Sequence, residues 1–100
     1  MRAAGRGTVI LTGSVAADRA STGATAVGVA KAGLRNLALS LHKELAGDGV
    51  RVSTVTINGA LGGPNALDVD AVAARYWRLH SASEPAAAVI VFPSDHDRLP

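Results

Sequence analysis

The sequence TGATAVGVAKAGLRNLALSLHKEL, residues 22–45, is the longest regular pattern in the chain and decides its fold class. Apolar residues occur almost all round this stretch, which is typical of a helix that packs on a sheet with one side and on something else with the other. We therefore expect a helix over residues 23–46. Lys31 lies one turn beyond Val27 on the same face of that helix, so an ammonium group is placed on an otherwise apolar surface.

The two ends of this helix carry residues that suit helix termini. Ser21 or Thr22 offers a side-chain oxygen that could accept a hydrogen bond from the first free backbone N–H groups, as N-cap residues do. Gly47 and Gly49 follow its last apolar residues, and glycine is the residue that most readily takes the left-handed conformation in which many helices end.

Short β-branched segments alternate with the helices. Residues 8–12 and 88–92 are apolar runs typical of buried strands, and residues 51–57 alternate as a strand does. Asp68 precedes residues 69–80, whose apolar positions recur at helical spacing. The order β-α-β-α-β predicts an α/β fold with parallel strands, a partial Rossmann-like sheet.

Length and composition fit one small domain. The chain has 100 residues, of which 48% are hydrophobic, so residues 1–100 can form a single core. We expect an irregular start over residues 1–7 and a loose tail over residues 93–100.

Several functional classes are excluded by what the sequence lacks. The net charge is only +2 and no basic stripe forms, which argues against nucleic-acid binding. Without cysteine there can be no disulfide and no thiolate metal site, and the three histidines share no ligand spacing, so we expect no metal. No apolar run reaches the ~20 residues of a membrane span, and a secretion signal is missing, so a cytoplasmic location is expected.

The segment VILTGS ends at Ser14, just past the first strand, where open parallel sheets bind ligands. This segment and the helix after it resemble the carboxyl-terminal half of a short-chain dehydrogenase/reductase, an NAD(P)-linked oxidoreductase family. In that family a strand ends in a catalytic serine, and thirteen residues later comes the tyrosine of a Tyr-x-x-x-Lys motif. Lys31 stands at the lysine position, and Val27 stands at the tyrosine position. The later segment RVSTVTIN resembles the next strand, with Asn58 replacing the proline of the Pro-Gly turn that follows.

The resemblance implies roles for these residues. Ser14 would polarise a substrate carbonyl, and Lys31 would hold the nicotinamide ribose of NAD or NADP and lower the pKa of the motif tyrosine. Gly59 and Leu61, by their position after the second strand, would lie near the nicotinamide. Val27 has no proton to transfer, and loss of a general acid typically costs about 10²- to 10⁴-fold in rate. The chain's one tyrosine, Tyr76, is expected in the core.

The glycine-rich turn that holds the cofactor phosphates has no counterpart in the sequence. Gly5 and Gly7 precede a strand, which is the wrong side for a phosphate cradle. The opening MRAAGRGTVILTG resembles an internal stretch of a full-length family member. We therefore expect a truncated product, a misplaced start or one piece of a split gene. Such a chain would be inactive or nearly so alone, and an open edge on the first strand would make it marginally stable.

Plainer interpretations stay open. Ser14 could be an ordinary turn residue, and Lys31 could extend from an apolar helix to solvent. The alternative function belongs to another class: a non-catalytic interaction module that docks through helix 23–46 on a second copy or on a full-length relative. Gly28 and Gly33 favour such docking, because each costs about 1 kcal/mol in a helix interior and suggests a close backbone approach.

Overall fold

The computed structural model describes residues 1–17, 22–59 and 67–94 and confirms the α/β fold class. Three strands and two helices alternate along the chain, as the sequence predicts. They are β1 (Gly7–Ser14), α1 (Thr25–Leu45), β2 (Val50–Ile57), α2 (Val69–Ser81) and β3 (Val89–Phe92).

The three strands form one parallel sheet in the order β1-β2-β3. The register pairs Ser14 of β1 with Ile57 of β2, and Ile57 in turn with Phe92 of β3. The carboxyl ends of all three strands therefore meet at one edge of the sheet. This is a partial Rossmann-like arrangement, and that edge is where such sheets bind ligands.

The two helices cover opposite faces of the sheet. On the face of α1, Ala38 is fully buried, His42 Nδ1 donates to the carbonyl oxygen of Val52 at 2.7 Å, and Arg35 donates to Thr56 Oγ1 at 3.3 Å. On the face of α2 lies the apolar core. Its buried members are Val55, Ile57, Leu79, Ile90 and Phe92, with Ile10, Leu67, Val72, Tyr76 and Ala86 packed against them. The central strand is covered on both faces, which explains its β-branched composition.

Polar contacts fix α2 and the segment after it. His80 Nδ1 lies 3.0 Å from Thr8 Oγ1 on β1. Arg51 donates to the carbonyl oxygens of Ala82 and Ser83 beyond the end of the helix. The helix starts as predicted, because the Asp68 side chain accepts from the backbone N–H of Asp70 at 3.0 Å.

The start of α1 differs from the prediction. Thr22 is not the N-cap: the helix begins at Thr25 after Ala24, which makes no side-chain cap hydrogen bond, and Ser21 lies outside the described residues. A Cβ at Gly28 would lie 3.1 Å from the carbonyl oxygen of Ala16, so the beginning of α1 packs closely against the turn after β1.

The end of α1 depends on one glycine. After the helix a short 3-10 turn, Ala46–Asp48, leads to Gly49, whose φ of 74° lies in the left-handed region. A Cβ at this residue would overlap the carbonyl oxygen of Gly5. Both the backbone angle and the space therefore require glycine here, as the sequence suggests.

Gly49→Ala is expected to lower the free energy of unfolding by about 2 kcal/mol or more, since a left-handed non-glycine residue costs about 1–2 kcal/mol before any steric overlap. Gly47→Ala is the matched control. A Cβ at Gly47 has open space, so this change should be neutral or stabilise by about 0.4–1 kcal/mol through the unfolded state. Thermal unfolding followed by circular dichroism compares the two, and equal melting temperatures would contradict the prediction.

Candidate active site

Ser14 is the last residue of β1 and lies half-buried where the strands end. Its Oγ accepts a hydrogen bond from the backbone N–H of Ala16 at 3.1 Å, which closes the turn after the strand. The serine is thus a turn residue and stands at the ligand-binding edge as well. A hydroxyl that accepts in this way still has its own proton to donate.

Lys31 reaches the same strand from α1. Its Nζ donates to the carbonyl oxygen of Thr12 at 3.2 Å, two residues before Ser14. The ammonium of α1 and the hydroxyl of β1 therefore lie near the same end of the strand. Their catalytic and cofactor-binding roles stay predictions.

Val27 occupies the position one turn before Lys31 and is 49% exposed. An isopropyl group at this position has no ionisable or hydrogen-bonding atom. The arrangement therefore has a hydroxyl and an ammonium near one strand end but no proton-transferring group at the motif position between them.

The end of β2 holds the other predicted cofactor-binding residues. Gly59 is exposed with a φ of 143°, and a Cβ there would lie 3.2 Å from the Leu67 side chain. Asn58 donates its backbone N–H to the carbonyl oxygen of Phe92 at 2.8 Å, which ties this end to β3. Leu61 lies outside the described residues. A role for either Gly59 or Leu61 in cofactor binding stays a prediction.

Sequence reasoning missed one contact at this end. Tyr76 packs against the apolar core, as expected, but its hydroxyl also lies 2.6 Å from Thr12 Oγ1. Thr12 thus contacts Tyr76 through its side chain and Lys31 through its carbonyl oxygen. The two hydroxyls are separated by 64 positions in sequence, and no local pattern signals such a pair.

The described residues also lack the features of two other kinds of site. Within residues 1–17, 22–59 and 67–94, no group of three or more His, Cys, Asp or Glu side chains could hold a metal ion. No helix in that same part of the chain has the length and apolar character to cross a membrane.

Lys31→Met is expected to lower the free energy of unfolding by about 1 kcal/mol, because it removes the hydrogen bond to Thr12 and keeps the aliphatic stem. For a domain of this size that corresponds to roughly 4–8 °C in melting temperature. Lys43→Met on the exposed side of the same helix should stay within about 0.5 kcal/mol of the parent protein. Equal losses for the two variants would show that the contact of Lys31 adds nothing to stability.

The family model for short chain dehydrogenases matches residues 1–63. The chain belongs to the short-chain dehydrogenase family. The match includes β1, α1 and β2, and hence Ser14, Val27 and Lys31. No curated protein sequence matches this family member significantly.

Solved structures show the same fold. A short-chain dehydrogenase from Rhodopseudomonas palustris is 29% identical in sequence and superposes with a TM-score of 0.77. The match covers 94% of this chain and 41% of the Rhodopseudomonas palustris chain. Two crystal forms of a bulky-bulky ketone specific alcohol dehydrogenase from Comamonas testosteroni are 25% and 26% identical, with TM-scores of 0.70 and 0.68. Each covers 94% of this chain, and the chain covers 37% and 36% of them. This short-chain dehydrogenase family member thus spans about two fifths of the length of these structures.

Proposed function

We propose that this chain is an NAD(P)-linked oxidoreductase by descent that does not turn over substrate alone. The observation that carries the proposal is Val27, which stands between Ser14 and Lys31 in the motif and has no proton to transfer. The solved relatives are a short-chain dehydrogenase and an alcohol dehydrogenase, which supports oxidoreductase ancestry.

The described residues fit only one end of a nicotinamide cofactor. Lys31 extends an ammonium to the carboxyl end of β1, where it could hydrogen-bond the ribose after leaving the Thr12 carbonyl. When bound, the cofactor would supply or accept a hydride. For the phosphate end, the sequence offers no glycine-rich turn after a strand. We therefore propose a weak NAD or NADP site, or none, in the chain by itself.

Within this proposal the chain's own residues can still bind a substrate. Ser14 can donate its proton to a carbonyl oxygen because its Oγ is held by the N–H of Ala16. Lys31 places positive charge close to the same strand end. Neither side chain replaces a phenol as general acid, so the expected loss in rate is about 10²- to 10⁴-fold even where the cofactor binds.

Titration with NADH and NADPH tests the proposal. Trp77 is the only tryptophan, and quenching of its emission is the signal followed in the titration. We expect weak quenching or none, and no reduction of a ketone above the rate without protein. Val27→Tyr should leave turnover undetectable, because the cofactor phosphates still lack their turn. Measurable turnover by the parent chain would overturn the proposal.

A second candidate function is docking through α1 onto a second copy of this chain. Val29 is 70% exposed and Leu37 is 48% exposed, although both are large apolar side chains. A Cβ at Gly33 between them would meet nothing within 4 Å, so packing within the chain does not explain this glycine. Close approach of another helix would explain both features.

We place the protein in the cytoplasm as part of the same proposal. The absence of cysteine is compatible with a reducing compartment, and the cofactor chemistry of the family belongs with cellular nicotinamide pools. Fractionation of cells that express the chain, with detection in the soluble cytoplasmic fraction, is the expected result. Recovery in an extracellular fraction would contradict it.

A further inference from the structure

A cavity of about 190 Å³ lies at the amino end of the sheet. Its lining comes from three parts of the chain: the end of α1 with the turn after it, the start of β2, and the segment before β3. These parts contribute, among others, His42, Ala46, Val50, Val52, Pro85 and Ala86. Seven residue steps of β2 separate this end from Ile57, which is a distance of about 20 Å. The cavity is therefore distinct from the strand end that holds Ser14.

His42 supplies a free acceptor to the cavity. Its Nδ1 lies 2.7 Å from the carbonyl oxygen of Val52. Because a carbonyl oxygen only accepts, the proton of the neutral imidazole is on Nδ1, and Nε2 is an acceptor. Among the described residues Nε2 has no hydrogen-bond partner. A ligand that carries an O–H group supplies the missing donor.

Arg51 also lines the cavity, but its donors are engaged elsewhere. Both of its terminal nitrogens donate to backbone carbonyl oxygens beyond α2, those of Ala82 and Ser83. A carboxylate in the cavity would also meet the lone pair of His42 Nε2, which repels an anion. A neutral hydroxyl donor therefore fits these polar groups better than an anion does.

The size and the apolar lining select the rest of the ligand. A cavity of about 150 Å³ with apolar walls can bind benzene. The present cavity is slightly larger, so it has room for one aromatic ring with one small substituent. Val50 and Val52 on one side and Pro85 and Ala86 on the other offer apolar contact to such a ring.

We propose that this cavity binds a small phenol. The ring packs between the start of β2 and the segment before β3, and the hydroxyl donates to Nε2 of His42. The site is independent of the proposed oxidoreductase ancestry, because it uses neither Ser14 nor Lys31 and lies at the other edge of the sheet.

Phenol and toluene are the probes, because they have nearly the same shape and differ by the hydroxyl. Each is titrated into the isotope-labelled full chain, and the backbone amide signals of residues 46–52 are followed by NMR. Toluene is the more apolar molecule and would bind better in a cavity without a polar contact. We expect phenol to bind about 5- to 10-fold more tightly than toluene, as one additional hydrogen bond allows. Benzoate should bind more weakly than phenol.

Two substitutions locate the hydrogen bond. His42→Asn keeps an N–H group for the Val52 carbonyl and removes Nε2, so phenol should lose its preference over toluene. His80→Asn is the matched control, because His80 also uses Nδ1 in a contact, with Thr8, but lies on α2 away from the cavity. This variant should keep the preference. Ala46→Leu, at an exposed position of the lining, adds volume and should weaken both probes.

Several outcomes would overturn the phenol site. They are toluene or benzoate binding as tightly as phenol, equal loss of the preference in His42→Asn and His80→Asn, and the absence of a shift at residues 46–52. The comparison of phenol with toluene in the parent chain needs no substitution, so it decides the proposal even if a variant fails to fold. Shifts confined to residues 12–14 would place phenol at the other edge of the sheet and would also exclude this cavity.

Discussion

Phe92→Ala is expected to remove most of the free energy of unfolding of the protein. Phe92 is 3% exposed and belongs to the one apolar core cluster found among the described residues. Truncation of a buried phenylalanine to alanine costs about 3–5 kcal/mol, because apolar contact is lost and a cavity remains. A domain of this size has a total stability of about 5–15 kcal/mol, and this thin sheet with two helices should lie near the lower bound.

Val91→Ala provides the control for that experiment. Val91 is the neighbouring residue of the same strand and is 47% exposed, so its truncation should change stability by less than about 1 kcal/mol. Urea unfolding followed by far-ultraviolet circular dichroism measures both variants. If Phe92→Ala lowers the free energy of unfolding no more than Val91→Ala does, the apolar core between the sheet and α2 does not stabilise the fold.

Val29→Asp is expected to weaken self-association by about 100-fold. In a symmetric pair of helices each copy contributes the substituted residue, so two charges are buried and each costs about 1–2 kcal/mol or more. Val29 projects away from the sheet and is exposed in the single chain, so the fold itself should tolerate the change. Sedimentation equilibrium over a range of concentrations gives the association constant.

Ala74→Asp places the same charge on an exposed position of α2 and should leave association unchanged. A parent protein that stays monomeric at every concentration would exclude docking onto a second copy of the chain. Equal effects of Val29→Asp and Ala74→Asp would place the interface elsewhere. Association only with a full-length relative would keep α1 as the docking helix and change its partner.

The order and type of the elements could be read from the sequence because local patterns specify them. The long apolar stretch around Lys31 has the length of a helix, and the β-branched run before Asn58 has the composition of a strand covered on both sides. Asp68 could be identified as an N-cap because its effect is local, on the N–H two residues later.

Contacts between distant segments could not be read in this way. The close approach of Gly28 to the carbonyl oxygen of Ala16 joins two elements that no local pattern pairs. The helix begins at Thr25 although Thr22 offers a local N-cap hydroxyl. The pair of Thr12 and Tyr76 depends on how α2 lies across β1, which periodicity alone does not specify. The positions of Ser14 and Lys31 near one strand end follow from the topology and could be anticipated from it.

The contacts of α2 with β1 have a mechanical consequence. Apolar side chains tolerate sliding of a helix along a sheet, whereas hydrogen bonds are directional and short-ranged. Tyr76 and His80, one turn apart, engage Thr12 and Thr8, so the axial position of α2 is defined at two points along the strand. A shift of the helix by a single turn would break both hydrogen bonds together. The two bonds therefore oppose sliding of α2 along β1.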